Sequence, residues 1–135
     1  MRLWHQRLIP ILPRQQLLGQ HRECCALRGK GWGRKHATVD YVFTHDPAFL
    51  IAYHWLILDE MQHRGYTYTP EWDDASYRGK QLGLDCKWFS LIALLPPIHP
   101  IGGEERIIYP EHNDAYLKEC LDNLKRKGVF LNVVH

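Results

Sequence analysis

Between Pro47 and Arg64 the chain reads PAFLIAYHWLILDEMQHR, apolar on nearly every face. A helix with almost no polar side must be surrounded by the rest of the fold, so this stretch is expected to be the central core helix. Its ends carry matching signals. Asp46 suits the N-cap and Pro47 the first helical position. His63 and Arg64 suit the negative C-terminal end, and Gly65 can close it. Two further stretches show helical spacing. Leu17, Leu18, His21, Cys24 and Leu27 recur at three- and four-residue steps and predict a helix from about Arg14 to Leu27, with Gly29 beyond its end. Tyr116, Leu117, Cys120, Leu121 and Leu124 predict another from about Glu111 to Lys127, with Lys125, Arg126 and Lys127 at its C-terminal end.

The remaining segments lack this periodicity. Residues 1–13 are apolar but hold Pro10 and Pro13, and read as an extended or turn-rich lead-in. Residues 29–36, GKGWGRKH, form a glycine-rich basic loop whose spacing excludes a Walker phosphate loop. Such a loop fits either nucleic-acid contact or a surface turn pinned by a buried Trp32. Residues 66–81 read as a long surface excursion and 82–95 as a short helix or strand, with helix favoured. Pro96, Pro97 and Pro100, followed by Gly102 and Gly103, then break the chain. There are no repeats. The expectation is a mainly α, compact single-domain helical fold of residues 1–135 around a central apolar helix.

The net charge of +2 hides an uneven distribution. Residues 1–36 hold eight basic residues against the single acid Glu23, a net +7; residues 37–135 hold nine against fourteen, a net −5. This asymmetry admits a polyanionic partner for the first third or merely a solvated basic face. No apolar run approaches the roughly 20 residues that span a bilayer. The start of the chain, with Arg2, Arg7, Pro10, Pro13 and Arg14, does not read as a secretory signal, so a cytoplasmic location without membrane attachment is expected. Cys24 and Cys25 are adjacent, Cys86 and Cys120 isolated, and no C-x-x-C pair occurs; four reduced, mostly buried thiols are expected.

Three constellations could carry chemistry. The nine histidines show no H-E-x-x-H or similar spacing, so no metal ligands are assigned; a site assembled from separate elements would support a metal-dependent hydrolase. His21-Arg22-Glu23 puts the lone acid of the basic third on the first helix, either for catalysis or to balance surface charge. The chain's start supplies an α-amine, whose reference pKa of about 7.7–8.0 leaves a useful fraction unprotonated at neutral pH and fit to form an imine.

These stretches together resemble the pyrimidine-dimer DNA glycosylases, the endonuclease V type known from phage. Gln15-Gln16-Leu17-Leu18-Gly19-Gln20-His21-Arg22-Glu23 is similar to the family's first helix with its Arg-Glu pair, and Arg34-Lys35-His36 to its basic run. PAFLIAYHWLILDEMQHRGYTY is similar to its long central helix and following turn. The likeness weakens through 70–105 and returns at Tyr109-Pro110-Glu111-His112 and the last helix. The resemblance implies a glycosylase that attacks the deoxyribose C1′ with its N-terminal amine and nicks the strand by β-elimination. Arg2 is too bulky for removal of the initiator methionine, so the implied nucleophile is the Met1 amine. Glu23 corresponds to the catalytic carboxylate and Arg22 to a phosphate-binding arginine beside it. Arg2, His21, Arg28, Lys30, Arg34, Lys35 and His36 are the expected DNA contacts. The implied partner is double-stranded DNA with a damaged base or abasic site, bound by a monomer without metal or organic cofactor. Pyrimidine dimers are the inherited lesion and another damaged base the alternative. The rival readings are a non-catalytic nucleic-acid-binding protein on the same fold and the metal-dependent hydrolase.

Overall fold

A computed structural model of the chain describes residues 2–90 and 107–131. The protein is mainly helical, with three α-helices and shorter 3-10 turns among the described residues. Helix α1 spans Arg14–Arg28, α2 Pro47–His63 and α3 Asp114–Arg126. The central helix is α2, as its composition demands. Ala48, Leu50, Ile51, Ala52, Tyr53, His54, Ile57, Leu58 and Met61 are all buried, and the two alanines carry the buried surface beyond a single face. Each buried leucine, isoleucine or methionine side chain stabilises the fold by roughly 1.5–3 kcal/mol. The ends follow the sequence signals. Asp46 accepts from the Ala48 amide, Pro47 opens the helix, and Gly65 takes the left-handed φ of +81° after Arg64.

Helix α1 packs on α2 and buries Leu17, Gln20, Cys24, Leu27 and Arg28. The lead-in is more ordered than an extended strand. Gln6–Ile11 forms a 3-10 helix started by His5, whose side chain accepts from Arg7 N. Its prolines leave carbonyls without helical partners, and Arg64 collects them, donating to Leu12 O at 2.7 Å and Pro10 O at 3.1 Å. This ties the lead-in to the C-terminal end of α2. Asn113 caps α3 through Tyr116 N, so this helix begins three residues later than its apolar spacing indicated. It adds Leu117, Cys120 and Leu124 to the core.

The glycine-rich loop is folded back on α1. Gly31 N donates to Ala26 O at 2.9 Å, and a Cβ at Gly31 would lie 2.7 Å from that oxygen, so only glycine fits. Trp32 is pinned edge-on against Phe43 and Trp88, with centroids 5.0 and 5.5 Å away. The reading of 82–95 as a helix is corrected over its described part. Residues 82–90 are turns and bends, with an antiparallel bridge between Tyr77 and Leu84. Gly83 at φ +63° and a loop fixed by Arg78 N to Gly83 O interrupt helical hydrogen bonding there. Residues 91–95, and the proline-glycine break that follows, lie outside the described residues. All four cysteines are free; Cys24 and Cys120 are buried, Cys25 is half-buried and Cys86 exposed. Among the described residues no helix is long and apolar enough to cross a membrane.

Candidate active site

The chain enters the fold as an extended segment laid along α1 and held there by buried polar side chains. Gln20, 1% exposed, is the central clamp. Its Oε1 accepts from Trp4 N at 2.7 Å and from the Tyr53 hydroxyl at 3.1 Å. Its Nε2 donates to Arg2 O at 3.0 Å and to Glu23 Oε2 at 3.2 Å. Tyr53 also donates to Trp4 O, and Tyr116 of α3 donates to Leu3 O. Each backbone group of residues 2–4 named here is thus matched by a side chain from one of the three α-helices. An extended segment buried without such partners would leave costly unpaired amides.

Glu23 follows Gln20 by one helical turn and faces the same segment. Its Oε2 accepts from Arg2 N at 3.2 Å as well as from Gln20. Among the described residues it forms no salt bridge to Arg22 or Arg28, the pairing a charge-balancing role would need. Around it opens a pocket of about 240 Å³ lined by Arg2, Trp4, Glu23, Thr38, Asn123 and Lys127. Arg2 turns its guanidinium toward α3, 3.3 Å from Glu119 and over the Tyr116 ring. Met1 lies outside the described residues.

The other expected site residues divide into three groups. Arg22 is exposed beside Glu23, and Lys30, Arg34, Lys35 and His36 are exposed along the loop after α1. Arg34 donates to Lys30 O, and His36 N to Asp40. Lys30 and Arg34 border a cleft of about 490 Å³, with Trp72 and Arg78 on its far side. His21 points elsewhere, into a contact with His54 of α2 at 2.9 Å. Burial, with Arg22 and Arg28 nearby, lowers the pKa of His21.

The assignment of Arg28 to DNA is corrected. It is fully buried, its guanidinium donating to Trp72 O, Asp74 O and Tyr77 O and facing His54 Nδ1 at 3.1 Å. Burial brings its pKa down to about 10, leaving it charged at neutral pH. Arg28 holds the 72–77 segment on α1 and presents nothing to a phosphate. Its place in the basic third disguised this, because charge counting does not register which side of α1 a residue faces.

Several residues of the site escaped the sequence reading. Gln20 sits on the apolar face of α1 and reads as an interruption of it. Asn123, Lys127 and Thr38 reach the pocket only through tertiary packing.

In this small helical fold residues 2–4 lie against a helix-borne carboxylate, beside an exposed basic loop. Residues 1–74, more than half of the chain, match the pyrimidine dimer DNA glycosylase family, and the chain belongs to it. No curated protein and no solved structure matches the chain.

Proposed function

We propose that the protein is a glycosylase with an abasic-site lyase step, acting on damaged duplex DNA through the Met1 amine. The observation that carries this is the bond from Arg2 N to Glu23 Oε2. The α-amine of residue 1 is three covalent bonds from that nitrogen, which supports a role for Glu23 in chemistry at the amine. The amine lone pair attacks C1′, and the glycosidic bond breaks with its electron pair leaving on the base. Loss of the ring C–O bond then gives a protonated imine. Removal of a C2′ proton expels the 3′ phosphate and nicks the strand.

Glu23 stabilises the cationic sugar and imine and relays protons at C1′ and C2′. Arg22, Lys30, Arg34, Lys35 and His36 hold phosphates, and Arg2 frames the pocket. A pocket of about 240 Å³ is below the usual range for ligand sites and suits one extruded sugar better than two stacked bases. The test is single-turnover nicking of duplexes with a defined abasic site or pyrimidine dimer, using protein whose Met1 terminus has been verified. Nicking of both is expected. Binding without nicking of either would replace this reading with a non-catalytic DNA-binding protein.

A further inference from the structure

Away from Glu23, α1 and α2 bring together a set of side chains that the glycosylase chemistry does not use. His21 and Cys25 lie one turn apart on α1, and His54 faces them from α2. His21 Nδ1 is 2.9 Å from His54 Nε2, and Cys25 Sγ is 3.7 Å from the first and 4.0 Å from the second. Glu23 stands two residues from both His21 and Cys25, about 200° around the helix, so the cluster and the pocket occupy opposite sides of α1.

We propose that His21, Cys25 and His54 bind one divalent transition ion of the zinc type, which fastens α1 to α2. Two imidazoles and a thiolate are a donor set that such ions favour. In a tetrahedral zinc site the N–N edge is about 3.3 Å and the N–S edge about 3.6 Å, and the three separations here lie within roughly half an ångström of those values. His54 is wholly buried and Cys25 and His21 half-buried, which leaves the fourth position toward solvent for water. Elsewhere α1 and α2 bury aliphatic side chains such as Leu17, Leu27, Leu50 and Ile57 in the core, and a group of two imidazoles and a thiol is a costly substitute unless it has work to do.

Arg28 borders the site without entering it. Its NH1 lies 3.1 Å from His54 Nδ1 and also donates to Trp72 O at 3.0 Å. In the metal-free protein His54 Nδ1 accepts from Arg28, and the Nε2 proton is shared with His21. When the ion binds His54 Nε2, the ring stays a neutral imidazole, its proton moving to Nδ1 as Arg28 NH1 turns to Trp72 O. Cys25 binds as the thiolate, and its S–H proton leaves to solvent.

The proposal is independent of the glycosylase reading and is tested on the reduced, full-length protein by titration with Co²⁺ and competition with Zn²⁺. A thiolate-to-cobalt charge-transfer band is expected, saturating at one ion per chain and bleached by Zn²⁺. It should survive Cys86→Ser, which alters the exposed thiol, and vanish in Cys25→Ser. His21→Asn should weaken binding at least tenfold, and this variant decides the matter if Cys25→Ser fails to fold. No band in the parent protein, or a band lost with Cys86 instead of Cys25, would overturn the site.

Discussion

The Arg2 amide donates to Glu23 Oε2 at 3.2 Å, joining the first described residue of the chain to a carboxylate 21 positions later on α1. This contact makes the lone acid of a strongly basic segment a neighbour of the chain's start. A surface built only to hold phosphates gains nothing from a negative charge at that point. A site that develops positive charge on a sugar does.

Glu23→Gln keeps the size and one acceptor oxygen of the side chain while removing its charge. The expected outcome is an intact fold, equal or tighter DNA binding, and turnover lower by on the order of a hundredfold or more. Binding and single-turnover cleavage on the same preparation measure this. Undiminished cleavage would take Glu23 out of the mechanism.

Gln20 acts through its neighbours by positioning the entering segment and Glu23. Gln20→Ala leaves Trp4 N, a buried donor, without its acceptor, which costs about 1–3 kcal/mol in a urea melt. Turnover should fall about tenfold or more while affinity for abasic DNA is kept. Gln20→Glu can still accept from Trp4 and Tyr53, but its second oxygen meets Arg2 O and Glu23 Oε2 with nothing to donate, so it should recover neither stability nor turnover. Recovery of both would make Gln20 merely structural.

Arg34 and Lys35 are exposed side by side on the loop folded over Ala26. Replacing both with Ala should weaken duplex binding and reduce the slope of log affinity against log salt by about two. An unchanged slope in a salt titration would place the DNA on another face.

His112 is 3% exposed, accepts from Gln6 N, and is bonded to the Tyr41 hydroxyl. Burial, with His5 stacked 5.4 Å away, brings its pKa down to about 3 from the ordinary 6.5. In the unfolded chain it takes up a proton below about pH 6.5, whereas in the fold it stays neutral until about pH 3. Its contribution is therefore complete above pH 6.5 and is lost as pH falls from there toward 3. Between pH 6.5 and 5 the loss is about 2 kcal/mol. Urea melts at both pH values should show it, and His112→Gln should flatten that part of the profile. An unchanged pH profile in the variant would assign the acid sensitivity to other groups.

The helices were legible because their signals are local. Asp46-Pro47 and Gly65 bound α2, and its unbroken apolar surface announced its central position. The Arg-Glu pair and the basic loop were legible as motifs. What charge and spacing could not reveal was direction. Arg22 and Arg28 look alike in a basic tally, yet one is exposed and the other is buried beneath residues 72–77. Gln20, Asn123 and His54 have partners 16 to more than 100 residues away, and no short window along the chain contains those pairs. The lead-in became a 3-10 helix because Arg64, from the far end of α2, satisfies its carbonyls.

The central claim is that the start of the chain is the nucleophile, and borohydride trapping tests it most directly. Protein with a verified, free Met1 terminus is incubated with abasic-site duplex and sodium borohydride without added metal, and the products are resolved by mass. The account predicts one covalent adduct per chain, mapped to the Met1 amine and abolished by acetylating that amine or by adding residues before it. No adduct, or an adduct on a lysine that persists after acetylation of the terminus alone, would contradict it.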